Sequence, residues 1–193
     1  MNEEVWQARG TRDEPAFAAA RAMGLGEPAA EVVARRCVGE AGPARFLAAR
    51  LADLPLPSTL PDIDRGAARL AEAVTAGERV TVFGDYDVDG CTSSAVLLRF
   101  LAQCGLTAKV RLPHRLKDGY GIKPSMVESL APDADVLITV DCGATAFEAL
   151  ERAQELGLDV IVCDHHTVAD TVPPAVAVIN PKRPESTYPG AEP

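Results

Sequence analysis

Three short runs, "RVTVF" (79–83), "DVLITVDCG" (135–143) and "LDVIVCDHH" (158–166), open almost continuously in Val, Ile, Leu and Thr. A strand with one wet face alternates apolar and polar residues, and these do not. Such runs belong to strands buried on both faces, the mark of a parallel sheet covered by helices. The segments between them fit. "TSSAVLLRFLAQCG" (92–105) reads as a helix ending at Gly105, and "TAFEALERAQELG" (145–157) as one stopped by Gly157. "PSMVESLA" (124–131) is a helix with proline in its first turn. "TAKVRLP" (107–113) and "AVAVINP" (175–181) supply two more strands. The spacing therefore predicts an α/β fold, an open parallel five-stranded sheet with helices on both faces.

A small helical segment precedes it. Residues 1–54 are rich in Ala, Arg and Glu and read as short helices broken by Gly and Pro, with no visible chemistry. The proline-rich "LPLPSTLPD" (54–62) marks a boundary near 55, so the domains are 1–54 and 55–193. "IDRGAARLAEAVTAGE" (63–78) has helical apolar spacing and a stop at Gly77. With 47% apolar and 24% charged residues, the chain has material for a sizeable core. No apolar run approaches the roughly 20 residues needed to cross a bilayer, and the N-terminus lacks a basic and then apolar leader, which predicts a cytoplasmic protein with no membrane partner. The five cysteines form no C-x-x-C pair and are expected to be buried free thiols.

In an open parallel sheet, ligands bind outside the carboxyl ends of the strands. At that edge this chain collects Asp85, Asp87 and Asp89 from "GDYDVDG", Asp141 from "VDCG", and Asp164, His165 and His166 from "CDHH". Two carboxylates about 4 Å apart repel by about 4 kcal/mol at an effective dielectric near 20, so such a crowd calls for cations. Carboxylates with imidazole and without paired thiolates suit Mn²⁺ or Mg²⁺. Two such ions, bridged by Asp141 on the middle strand, would form a clamp for in-line attack on a phosphodiester. Thr92, Ser93 or Ser94 is expected to cap the following helix, whose N-terminus would offer a phosphate site. "DYDVDG" also matches the start of a calcium loop, but the twelfth position from Asp85 is Val96, and a strand stands where an entering helix should be.

The net charge of −9 is unevenly spread. "KVRLPHRLKDGYGIK" (109–123) holds five basic residues against one acid, and the rest of the chain has 14 basic against 27 acidic. Screening limits each charge to about 8 Å, so a local basic patch can bind phosphate on an acidic protein. From charge alone the segment reads equally well as a solvated loop.

"GDYDVDG", "TVDCG" and "CDHH" resemble motifs one to three of the DHH phosphoesterase superfamily, and "PHRLKDGYG" and "NPKRPESTYP" resemble its RecJ-type 5′-to-3′ exonucleases specific for single-stranded DNA. The likeness covers about residues 55–190. It implies that Asp87 and Asp89 bind one metal each, Asp141 bridges both and His165 binds the second, with Asp85 an additional candidate. Phe83 stands where other members often carry a histidine ligand. It further implies that His166 contacts the scissile phosphate, that Asp164 orients a histidine, and that Arg115, Lys117 and Tyr120 hold the strand's phosphates or a base. Members of this type continue with a fourth, aspartate-bearing motif and further DNA-gripping domains. This chain accordingly reads as the front of a longer enzyme involved in DNA repair and recombination, weakly active or inactive alone, with a separate chain or further C-terminal region supplying the rest. Action on short oligonucleotides or cyclic dinucleotides, and a non-catalytic binding remnant, are the alternatives.

Overall fold

The computed structural model describes residues 11–37, 42–48 and 50–189. The chain divides into two compact units, Met1–Leu54 and Pro55–Pro193. In the first, helices α1 (Glu14–Ala22), α2 (Glu27–Arg36) and α3 (Gly42–Ala48) are present. The Asp13 side chain accepts the Ala16 N–H at 2.8 Å and so begins α1 with a capped first turn. Ala20, Ala30 and Val33 form its small core.

The second unit contains α4 (Ile63–Ala76), β1 (Val80–Gly84), α5 (Val88–Gln103), β2 (Lys109–Arg111), α6 (Pro124–Leu130), β3 (Val136–Val140), α7 (Phe147–Glu155), β4 (Asp159–Cys163) and β5 (Ala177–Ile179). The sheet order is β2-β1-β3-β4-β5, and every pairing is parallel. All five residues of β1 and of β3 are buried, as their unbroken apolar character requires. Alternate side chains feed two core layers. Phe83, Leu137 and Val162 pack with Val127 and Leu150 on one face, and Val82, Ile138 and Ile161 pack with Ala73 and Leu101 on the other.

β2 and β3 flank β1 on opposite sides, so the order reverses between β1 and β3. A crevice opens at the carboxyl ends of strands at such a switch point. The two sheet edges differ. At β5, the Asp62 carboxylate accepts the Val178 N–H at 3.1 Å, and Arg183 donates to the Val178 carbonyl at 2.6 Å. Arg65 donates to the Val176 carbonyl, so side chains close this edge. At the other edge, β2 is three residues long and exposed throughout.

The start of α5 corrects the sequence reading. The helix begins at Val88, not at Thr92, because Asp87 is its cap and accepts the Gly90 N–H at 3.0 Å. Thr92 is therefore inside the helix, its hydroxyl donating to the Val88 carbonyl at 2.7 Å. Neither Thr92 nor Ser93 is a cap with free N–H groups beside it. The predicted strand 107–113 shrinks to three residues and 175–181 to Ala177–Ile179, since each lies at a sheet edge with one neighbour to pair.

Candidate metal centre

β1 delivers Asp85 directly from its end, and the carboxylate is almost fully buried at 1% exposure. The chain then turns sharply into α5. Gly90 makes that turn possible, since a Cβ there would stand closer than 3.0 Å to the backbone N and O of Asp85. β3 delivers Asp141, whose φ of +61° is left-handed and rare for a non-glycine residue. Its N–H still donates to the Cys163 carbonyl at 3.0 Å, so the strand pairing carries one residue further while the side chain is turned into the crevice. Local strain of this kind is held in place by surrounding structure and concentrates at functional sites.

β4 delivers the "DHH" run. Asp164 is buried, and its Oδ1 accepts the backbone N–H groups of His165 (2.7 Å) and His166 (3.1 Å) and lies 2.8 Å from His166 Nδ1. Its Oδ2 accepts the Ala144 N–H at 2.9 Å. Burial alone would raise this carboxyl, but the N–H groups of Ala144 and His166 hold it below the usual range. A carboxylate is an acceptor only, so Nδ1 of His166 carries the hydrogen and Nε2 faces Tyr120 Oη at 3.3 Å. Buried Asn180 completes the support by donating to the His166 carbonyl at 3.0 Å. Nothing in the spacing of "INPKRP" marks Asn180 for this role, because its partner lies on another strand end.

Two groups of donors result. Asp85, Asp87 and Asp141 bring one oxygen each within 4.8 Å of one another, and so do Asp141, His165 and His166 with oxygen and ring nitrogens. Asp141 belongs to both. Its Oδ1 lies 2.9 Å from His165 Nε2, while its Oδ2 and Asp85 Oδ1 are buried with no hydrogen-bond partner among the described residues. Orphaned buried carboxylate oxygens are costly, and a cation is the group that would satisfy both. Electrostatics agree. Burial and then the adjoining Asp87 push the Asp141 carboxyl up, His165 pulling the other way, whereas the Gly90 N–H and Asp141 itself hold Asp87 down. Hard oxygen donors with two imidazoles fit Mn²⁺ or Mg²⁺.

The remaining sequence-predicted residues divide. Asp89 is exposed on the first turn of α5 and falls outside both donor groups, although with Ser93, Asp141 and His165 it lines the same cleft. His166 joins a donor group as well as facing Tyr120. Phe83 is fully buried in the core and has no part in the site. Tyr120 is exposed as a residue, but partial desolvation of its hydroxyl end, followed by the nearby Asp164 and Asp85, pushes that hydroxyl up to about 12, so it stays protonated. Arg115 lies over the Tyr86 ring at 4.8 Å, and Tyr86 meets Tyr120 edge-on at 6.5 Å between centroids. Lys117 is exposed on the same loop.

Residues 79–192 match the DHH family, N-terminal domain. The chain belongs to the DHH family. Among curated DHH relatives, the single-stranded-DNA-specific exonuclease RecJ of Thermus thermophilus is 43% identical over 128 residues, 66% of this chain and 19% of that protein. RecJ of Bacillus subtilis is 36% identical over 148 residues, 76% of this chain and 19% of that protein. A crystal structure of exonuclease RecJ bound to manganese superposes with a TM-score of 0.62 at 42% identity, covering 68% of this chain and 33% of that one. RecJ from Thermus thermophilus in complex with Mn²⁺ gives the same TM-score at 31% identity over 93% of this chain and 24% of that one. This DHH chain thus spans about a fifth of the length of those two curated relatives.

Proposed function

We propose that this chain is the catalytic front part of a two-metal phosphodiesterase that removes nucleotides from single-stranded DNA, as its RecJ relatives are named for doing. The observation that carries the reading is the pair of orphaned buried oxygens, Asp85 Oδ1 and Asp141 Oδ2, inside two donor groups that share Asp141. Asp85, Asp87 and Asp141 would hold one divalent ion, and Asp141, His165 and His166 the other, with Asp89 beside them in the cleft. The ions would supply Lewis-acid polarisation of the phosphodiester and of the attacking water. Asp164 fixes the ring and tautomer of His166, as outer-layer carboxylates do for metal-site histidines. With Nδ1 tied to Asp164, Nε2 carries the one free lone pair of the His166 ring, which faces the protonated Tyr120 hydroxyl in the metal-free chain and would turn to the ion when one is bound. Arg115 and Lys117 hold phosphates of the strand, and the aromatic pair Tyr86 and Tyr120 offers faces for a base.

The substrate is single-stranded DNA, and the setting is DNA repair and recombination in the cytoplasm. The carboxylate and histidine donors do not fill about six positions around each of two ions. The isolated chain is therefore weakly active, and more of the polypeptide, or a separate chain, completes the site. The test adds Mn²⁺ to the 193-residue chain with a 5′-phosphorylated single strand, following metal uptake by calorimetry and nucleotide release beside an Asp87→Ala control. Saturable Mn²⁺ uptake that the control loses supports the reading. No uptake at millimolar Mn²⁺ overturns it, and cyclic dinucleotide cleavage without strand cleavage redirects the substrate class.

A further inference from the structure

Leu116 is 89% exposed, the most exposed large apolar residue among those described. A mobile loop would be free to fold such a side chain inward, but this one is built to hold it out. The N–H groups of Lys117 and Asp118 both donate to the His114 carbonyl, at 3.0 and 2.8 Å. The Asp118 carboxylate accepts the His114 N–H at 2.7 Å and pairs with Arg111 at 3.5 Å, while Lys123 donates to the Asp118 carbonyl. His114 Nδ1 then accepts the Leu116 N–H at 3.2 Å. One of only three histidines in the chain is used to fix the backbone of an exposed leucine.

The neighbours of Leu116 say what it meets. Arg115 and Lys117 flank it, and neither has an acidic partner among the described residues; the Arg115 guanidinium is spread over the Tyr86 ring at 4.8 Å. From there Tyr86, Tyr120 and His166 form an edge-to-face series, with centroids 6.5 and 6.0 Å apart, that ends at the metal centre. An apolar tip between two cations that have no acidic partner among the described residues matches a nucleic-acid strand, whose anionic backbone and apolar base faces alternate at short range. Apolar side chains wedge between the base steps of duplex DNA, and a single strand presents its base faces without a helix having to be unstacked.

We propose that the turn 114–118 is a nucleobase wedge, in which Leu116 packs against a base face of the bound single strand while Arg115 and Lys117 contact the phosphates on either side. The wedge rests on the single-strand reading above and adds to it a contact that depends on the bases. It sets how the strand is splayed before it reaches the metal centre, and it makes affinity depend on the base being present.

The experiment measures fluorescence anisotropy of a labelled, 5′-phosphorylated 12-nucleotide strand with the 193-residue chain at low salt in EDTA. An intact strand is compared with one that is abasic throughout. Leu116→Ala should bind the intact strand about fivefold more weakly, the low end of the range for aromatic side chains stacked on bases and so an upper bound for an aliphatic one, and should match the parent chain on the abasic strand. Leu116→Phe should restore the loss. Equal binding of parent and Leu116→Ala to the intact strand overturns the wedge alone. An equal loss on both strands also overturns it, because the substitution would then act through the turn and its phosphate contacts. If the parent chain binds neither strand, the wedge and the single-strand reading fall together.

Discussion

Replacing Asp141 by Asn should stabilise the metal-free protein while abolishing its response to metal. Asp85 and Asp141 are both buried, with carboxylate oxygens inside 4.8 Å of each other. At an effective dielectric near 20 that separation corresponds to a repulsion of at least about 3.5 kcal/mol. Part of it is relieved by proton uptake, since burial and Asp87 push the Asp141 carboxyl up. Asn removes the charge and keeps the Oδ1 acceptor for His165 Nε2, now 2.9 Å away. It also tolerates the left-handed backbone at φ +61° better than most residues. The expected net gain is about 1–2 kcal/mol at pH 8 without metal. The sign with pH follows from the raised carboxyl. Its proton is favourable in the folded state, so its contribution is fully present below the unfolded value near 3.9 and is lost as pH rises through the folded value. The advantage of the Asn variant should therefore shrink on going from pH 8 toward pH 4. Urea unfolding followed by circular dichroism gives these numbers. Mn²⁺ at a hundred times its dissociation constant should add about 2.7 kcal/mol to the parent chain and almost nothing to the variant. A variant less stable than the parent at pH 8 without metal, with its Mn²⁺ response intact, would refute the charge-crowding account.

Three further outcomes are expected. Gly90→Ala should cost about 1–3 kcal/mol in urea unfolding, because its Cβ would press on the Asp85 backbone and a close-packed turn yields little; an unchanged midpoint would mean that the turn gives way freely. Cys91 and Cys104 are exposed, not buried as the sequence suggested, so in the native chain a thiol reagent at pH 7.5 should modify them quickly and buried Cys142 only on unfolding, since burial pushes the Cys142 thiol far up; fast labelling of Cys142 would contradict the packing around the candidate metal centre. Replacing both Arg115 and Lys117 by Ala should lower the slope of log affinity for a single strand against log salt by about 1.4, at about 0.7 per phosphate; an unaltered slope would make the loop a solvated surface.

Much of the site was legible because it depends on one inference about backbone direction. Strands with unbroken apolar runs must be covered on both faces, strands that alternate with helices in sequence form a parallel sheet, and parallel strands present their carboxyl ends at one edge. Asp85, Asp87, Asp141, Asp164, His165 and His166 follow from that without any long-range distance. Their grouping did not. The family resemblance implied equal metal-binding places for Asp87 and Asp89; in the structure Asp87 caps α5 through Gly90 and joins a donor group, while Asp89, on the first turn of α5, lines the cleft beside it. The sequence pattern put the helix start at Thr92, since Thr and Ser are good caps and Asp-Gly ordinarily reads as a turn. Here the same residues serve as cap and first turn.

What the sequence by itself determined is the fold class and the edge at which the acids and histidines gather, because both are dictated by the period of apolar residues along single segments. The tertiary structure alone decided which atoms meet: Asp141 in a left-handed conformation shared by two donor groups, His166 tied to Asp164, Asn180 and Tyr120, and Leu116 held outward by His114. The physical reason is that hydrogen bonds and charge pairs of this kind join segments tens of residues apart, or set a backbone angle against its own preference. Packing of the whole sheet is what brings His166 against Asn180 at 3.0 Å and Tyr120 at 3.3 Å, and the loss of hydration in that packed crevice leaves the oxygens of Asp85 and Asp141 without a hydrogen-bond partner among the described residues.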